Sequence, residues 1–300
     1  FGAEESHFLV NGSTAGILSA VMGCTHRGDK ILVARHCHKS IYHAIYMNGL
    51  VPRYVYPEFD ISMHMNGEMS KEDVAKALAA EPDIKAVVIV SPNYDGVVSD
   101  VKGIAEVAHS YKIPLIVDEA HGPHFGFHPA FPERANDLGA DVVIQSFHKT
   151  LPAMTQTAVL HLCSERVSEK LIRRFLGIYE TSSPSYILMS SLDACVAKLE
   201  KDSGRLFDEF TENLEAARRQ LGQRRYIRLL QTPEETGEEK DEQGTTEIFD
   251  YDRSKLILST LHSSLNGPEL AGILRRKYHL EVEMTTENYV LALAAVGDTR

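Results

Sequence analysis

Four short runs of this chain, residues 30–34, 86–90, 114–117 and 141–144, are apolar at almost every position rather than at alternate ones. A strand with one solvated face alternates, so a continuous run belongs in a sheet covered on both faces. Between and around the runs lie helical patterns at 14–25, 71–80 and 99–110. Ser70 with Asp73 resembles a capping box for the second of these, and Ser99 or Asp100 is placed to cap the third. Strands and helices in alternation imply crossover connections and a mainly parallel sheet, which is an α/β fold of three layers, α/β/α.

Beyond residue 185 the pattern changes. Residues 185–223 hold few Gly or Pro and read as one long helix. An acidic stretch at 232–250 carries eight acids and one Lys and reads as a solvated loop. Strand character resumes at 255–259, helix at 268–278 and strand at 289–295. The expected division is a major domain over 1–223 and a smaller α+β segment over 224–300. The chain opens at Phe1 without Met and ends at Gly297-Asp298-Thr299-Arg300, just past a strand-like run, so it is expected to be a fragment cut at both ends.

With 300 residues the chain is long enough to bury roughly 75% of its unfolded surface without staples. Its four cysteines, Cys24, Cys37, Cys163 and Cys195, form no C-x-x-C pair, which argues against a disulfide framework or a zinc knuckle and suits a reducing, cytoplasmic setting. There is no apolar run near the roughly 18 residues of a membrane span. A net charge of −11 disfavours nucleic acid as a partner.

Four motifs carry chemistry. Asn11-Gly12-Ser13-Thr14-Ala15-Gly16 is a small-residue turn feeding a helix, where free N–H groups and two hydroxyls could cradle a phosphate. Arg35-His36-Cys37-His38-Lys39-Ser40 follows a strand, at the sheet edge where parallel strands present side chains to a ligand. A His there could stack on a planar group, bind a metal or only satisfy a turn. Val117-Asp118-Glu119-Ala120-His121-Gly122 ends a buried strand in two carboxylates, and an Asp so placed needs a cation or a proton-bearing ring nitrogen. His121, His124 and His128 lie close in sequence, but Gly122, Pro123 and Gly126 keep them off a common helix face, so no metal is expected. Ser146-Phe147-His148-Lys149-Thr150 follows another buried strand, where desolvation could depress the Lys149 pKa as a Schiff-base lysine requires. A phosphate cradle, a stacking His, an acid for a pyridine nitrogen and a Lys for an aldehyde are together the needs of pyridoxal phosphate.

On these motifs, and on Thr181-Ser182-Ser183-Pro184-Ser185-Tyr186, the chain resembles the Orn/Lys/Arg decarboxylases among the fold-type-I pyridoxal-phosphate enzymes, in the short form without an N-terminal wing domain. The resemblance covers nearly the whole chain apart from the acidic loop. It implies that Lys149 forms the internal aldimine, that Asp118 pairs with the pyridine nitrogen, and that His38 and Ala120 cover the two ring faces. His121 would bond the phenolate oxygen, while Ser13, Thr14, Ser146 and His148 would hold the phosphate. Thr181 and Ser183 would reach the phosphate of a neighbouring subunit, implying a homodimer with shared sites. The activity implied is decarboxylation of a basic amino acid, arginine ahead of lysine and ornithine, with Lys149 or His148 returning the proton and a role in polyamine synthesis or acid resistance. Glu119, Asp95 and Glu180 are the acids weighed for the substrate's cationic side chain. An aminotransferase and an inactive truncated domain are the competing readings; a cysteine desulfurase would need a mobile Cys that this pattern does not offer.

Overall fold

The computed structural model describes residues 1–60, 64–231 and 249–298. The chain opens with β1 (Glu5–Leu9), α1 (Gly12–Cys24), β2 (Lys30–Ala34), α2 (Lys39–Asn48) and β3 (Val51–Val55). The short strands β4 (Phe59–Asp60) and β5 (Met65–Asn66) precede α3 (Lys71–Ala80), β6 (Ile84–Val90), β7 (Val97–Val98), α4 (Val101–Ser110) and β8 (Leu115–Asp118). Next come β9 (Val142–Gln145), the single turn α5 (Phe147–Thr150), β10 (Ala158–Leu162), α6 (Glu169–Tyr179) and α7 (Tyr186–Gly222). The remaining elements are β11 (Arg228–Leu229), β12 (Asp250–Tyr251), β13 (Lys255–Ser259), α8 (Gly267–Tyr278), β14 (Met284–Thr285) and β15 (Tyr289–Leu293).

The main sheet has seven strands in the order β1-β10-β9-β8-β6-β2-β3. Pairings β9-β8, β8-β6, β6-β2 and β2-β3 are parallel, and β10 runs antiparallel to both its neighbours. Successive strand residues go to opposite faces. Ile31, Val33, Val88 and Val90 pack with Ile17 and Val21 of α1, Ile41 of α2 and Ile172 of α6. Leu32, Val87, Ile89 and Val117 pack with Val74 and Leu78 of α3 and Ile104 and Ala108 of α4. Two helical layers on one sheet are the physical reason the runs are apolar throughout. Helix α1 lies close: a Cβ at Gly16 would stand 2.7 Å from Leu9 Cδ1 and 3.2 Å from Ile144 Cγ2.

Helix ends follow the caps with small corrections. At Ser70 the side chain accepts from the Asp73 N–H, but its hydroxyl donates to Glu72, so the cap is single rather than a box. Asp100, not Ser99, caps α4 by accepting from the Gly103 N–H at 2.8 Å. The full capping box belongs to α8, between Asn266 and Glu269. The long helix is continuous as α7, with Ser185 accepting from the Leu188 N–H. Its inner face sets Leu192, Leu199, Phe207 and Phe210 against Phe125, Phe131 and Phe147.

A second, antiparallel sheet has the order β11-β13-β15-β14. It is tied to the rest by β12 pairing with β7 and by buried Arg218 of α7, which donates to the backbone carbonyls of Arg253, Lys255 and Leu230. Of the acidic stretch 232–250, residues 232–248 lie outside the described residues, as do Thr299 and Arg300.

Candidate active site

The carboxyl ends of β2, β8 and β9 open on one side of the main sheet, as the shared parallel direction requires. Asp118 is the last residue of β8 and is 3% exposed. Its Oδ1 accepts the Ala120 N–H at 3.2 Å. Burial pushes its carboxyl up to about 6, against the opposing pull of Lys149 and the Ala120 N–H. Burial outweighs both, so this carboxylate still calls for a close cation.

Lys149 sits on the single turn after β9, anchored by buried Phe147 and Thr150 on either side. Its Nζ is 2.8 Å from Nε2 of His121. Burial lowers its pKa, and the charges of Asp118 and Glu283 work the other way. The adjacent His148 has its Nδ1 2.9 Å from the Thr157 carbonyl, which fixes the proton on Nδ1 and leaves Nε2 open. Ser146, the N-cap of that turn, is fully buried, and its Oγ has no hydrogen-bond partner among the described residues.

The turn before α1 presents a second set of donors. Asn11 spends its side chain on the Tyr179 carbonyl rather than on a cap, and the first turn, with Ser13 and Thr14, contains no acid. Gly12 has φ +77°, a conformation that glycine adopts at little cost. Glu180 holds this turn in place by accepting from the N–H groups of Val10 and Asn11 at 3.1 and 3.3 Å. His38 caps α2; its Nδ1 accepts from the Ser40 N–H and lies 2.8 Å from the Ser40 hydroxyl. Burial, then the Lys149 charge, lowers its pKa, which puts the two side chains in electrostatic reach of each other.

The remaining sequence candidates fall elsewhere. The Oε2 of Glu119 accepts from Gln145 at 2.6 Å and its Oε1 from the Ala135 N–H at 2.8 Å, so this acid belongs to a buried network. Asp95 accepts from the Tyr289 hydroxyl at 2.7 Å, and Glu180 is engaged as above. Thr181 and Ser183 lie exposed between α6 and α7, where Thr181 Oγ1 accepts the Ser183 N–H. His124 lies between Thr150 and Asp252, and His128 beside Asp208, so neither joins His121.

Three residues not foreseen as part of the site complete it. Lys255, fully buried at the head of β13, places its Nζ 2.9 Å from Nδ1 of His121. Tyr94 meets the His121 ring edge-on at 4.9 Å and donates its hydroxyl to Glu283 at 2.7 Å. No motif signals them, since Lys255 and Glu283 lie more than a hundred residues from Lys149.

A buried carboxylate needing a cation, a depressed amine, a buried unpartnered hydroxyl and an acid-free helix start are demands that one molecule with a pyridine ring, an aldehyde and a phosphate meets together. The residues therefore fit pyridoxal phosphate, and fold and site define the fold-type-I class of pyridoxal-phosphate enzymes. The fold superposes on ureidoglycine–glyoxylate aminotransferase of Bacillus subtilis with a TM-score of 0.70 at 11% identity, covering 99% of this chain and 76% of the other. The family model described as Orn/Lys/Arg decarboxylase, major domain, matches residues 1–300, and the chain belongs to that family. It is 33% identical over 300 residues to arginine decarboxylase of Bacillus subtilis, covering 100% of this chain and 60% of that relative. The constitutive lysine decarboxylase of E. coli shares the fold with a TM-score of 0.82 at 23% identity, over 100% of this chain and 47% of the other. The chain thus spans 60% or less of the length of these two decarboxylases.

Proposed function

We propose that this chain forms the cofactor-holding part of a decarboxylase that converts a basic amino acid, arginine ahead of lysine and ornithine, to its amine and CO2. The observation that carries this reading is the Lys149–His121 contact of 2.8 Å beside the buried Asp118, at the strand ends of the sheet. The likeness to arginine decarboxylase over the whole chain favours arginine. When bound, pyridoxal phosphate supplies the electron sink that lets a bond to the substrate's Cα break.

The residues do the rest. Asp118, already desolvated, keeps a proton on the pyridine nitrogen by offering a buried negative charge. His38 and Ala120 would flank the ring. Ser13, Thr14, Ser146 and His148 would hold the phosphate through hydroxyls, ring nitrogen and first-turn N–H groups. Lys149 would supply the amine for the aldehyde, and Lys149 or His148 the proton returned to Cα. Glu283, tied to Tyr94 and felt electrostatically by Lys149, replaces Glu119, Asp95 and Glu180 as the acid for the substrate's cation. Thr181 and Ser183, exposed here, reach the phosphate in a second subunit, so the working form is a homodimer. The major domain ends near residue 223, and the setting is cytoplasmic polyamine synthesis or acid resistance.

The test is an absorbance scan with pyridoxal phosphate, borohydride reduction and peptide mapping, then amine and CO2 release from arginine, lysine and ornithine. A reduced adduct on Lys149 with agmatine release supports the reading. A keto acid in place of CO2 would make the chain a transaminase, and an adduct on another lysine would sink the site.

A further inference from the structure

We propose that Lys255 is a positioning residue: through His121 it fixes the proton pattern that presents Lys149 as a free amine. This rests on the reading of Lys149 as the residue that meets the cofactor's aldehyde. The geometry is a line of three groups, Lys255 Nζ to His121 Nδ1 at 2.9 Å and His121 Nε2 to Lys149 Nζ at 2.8 Å. A neutral imidazole has one N–H and one lone pair, and an ammonium can only donate. Two ammonium groups cannot both be satisfied by one neutral ring, and a doubly protonated ring satisfies neither. One lysine must therefore accept from His121, and only an uncharged amine can do so.

The surroundings decide which. Lys255 is 0% exposed, and the carboxylates of Asp252, Asp95 and Glu283 act on it to favour its charge, with the Tyr94 ring 5.4 Å from Nζ. Lys149 is felt by two carboxylates, Asp118 and Glu283, against three on Lys255. Burial lowers the pKa of both lysines, so the one with more negative neighbours keeps its proton. His121 itself is held neutral: burial first, then the Lys255 ammonium, drive its pKa well below the usual histidine range. Lys255 then donates to Nδ1, the ring carries its proton on Nε2, and that N–H donates to the lone pair of Lys149. The stem of Lys255 is locked in this line by Gly96, where a Cβ would come within 2.7 Å of Lys255 Cγ.

The test reads protonation in the cofactor-free chain. Nitrogen-15 NMR of His121 in the wild type is expected to show a bare Nδ1 and a protonated Nε2; a proton on Nδ1 overturns the inference and needs no variant. Trace labelling with acetic anhydride across pH then gives the midpoint at which Lys149 becomes reactive. In Lys255→Met, checked for native circular dichroism, that midpoint is expected to rise by about one pH unit or more. Lys255→Arg, which keeps donor and charge, is expected to bring it back toward wild type. An unchanged midpoint in Lys255→Met overturns the inference. If the wild type gives no borohydride-trapped pyridoxal phosphate on Lys149, the functional reading fails instead, whatever the midpoints show.

Discussion

Asp118 and Glu119 are neighbours at one strand end, and the fold sends them to different tasks. Asp118 faces the site, and Asp118→Asn removes one partner of a buried charge pair once the cofactor is bound. Breaking such a pair costs about 3–5 kcal/mol, so turnover at saturating cofactor is expected to fall about a hundredfold or more. Near-normal turnover in a steady-state assay would remove Asp118 from its role. Glu119 faces inward, and burial pushes its carboxyl up to about 8, ahead of the opposing hydrogen bonds from Gln145 and Ala135. Above the ordinary glutamate range the unfolded chain has lost this proton while the folded chain keeps it. Raising the pH from 6.5 to 8 therefore draws down stability, by at most about 1.4 kcal/mol per pH unit. Urea midpoints across that window are expected to fall in the wild type and to flatten in Glu119→Gln. Asp118 could be read in advance because it comes directly after a run of residues that must be buried, and Lys149 because it lies on the turn that follows another such run. Lys255 could not: a lysine opening the run Lys255-Leu256-Ile257-Leu258 reads as a solvated strand end, and what buries it are Gly96 and Tyr94, far away in sequence.

Helix α1 both covers the sheet and carries Ser13 and Thr14, the proposed phosphate donors, so its distance from the strands sets where those hydroxyls stand. Gly16→Ala would press a methyl group into Leu9 and Ile144, both fully buried. Overpacking of this kind costs about 1–3 kcal/mol. Thermal denaturation is expected to show the loss, and pyridoxal phosphate titration a weaker affinity, because the helix must lift its first turn to make room. A lowered melting point with unchanged affinity would separate the cradle from the packing. The apolar runs announced the strands of the main sheet's centre, while β1 and β3 alternate in burial or lie at the edge and gave no such run. The antiparallel course of β10 had no signature either, since its residues are as apolar as those of a parallel strand.

Between the two sheets, apolar packing of Leu256 and Val296 against the α7 cluster is joined by buried polar ties. Arg218 gives its guanidinium to the backbone carbonyls of Arg253, Lys255 and Leu230. Arg218→Leu is expected to lower stability by about 3 kcal/mol in urea, since buried acceptors lose charged donors. A loss within a few tenths of a kcal/mol would mean that these carbonyls find other donors. Asp252 and Lys255 reach across the same seam, to His124 behind Thr150 and to His121 beside Lys149. The unit that holds the cofactor is consequently not separable from the segment beyond residue 223. A gene fragment ending there would keep Lys149 but strip His124 and His121 of their partners Asp252 and Lys255. Recombination or protein engineering that exchanges the later segment for another enzyme's must carry over an acid and a lysine three residues apart, as Asp252 and Lys255 are here, or the graft will arrive with its key lysine mistuned.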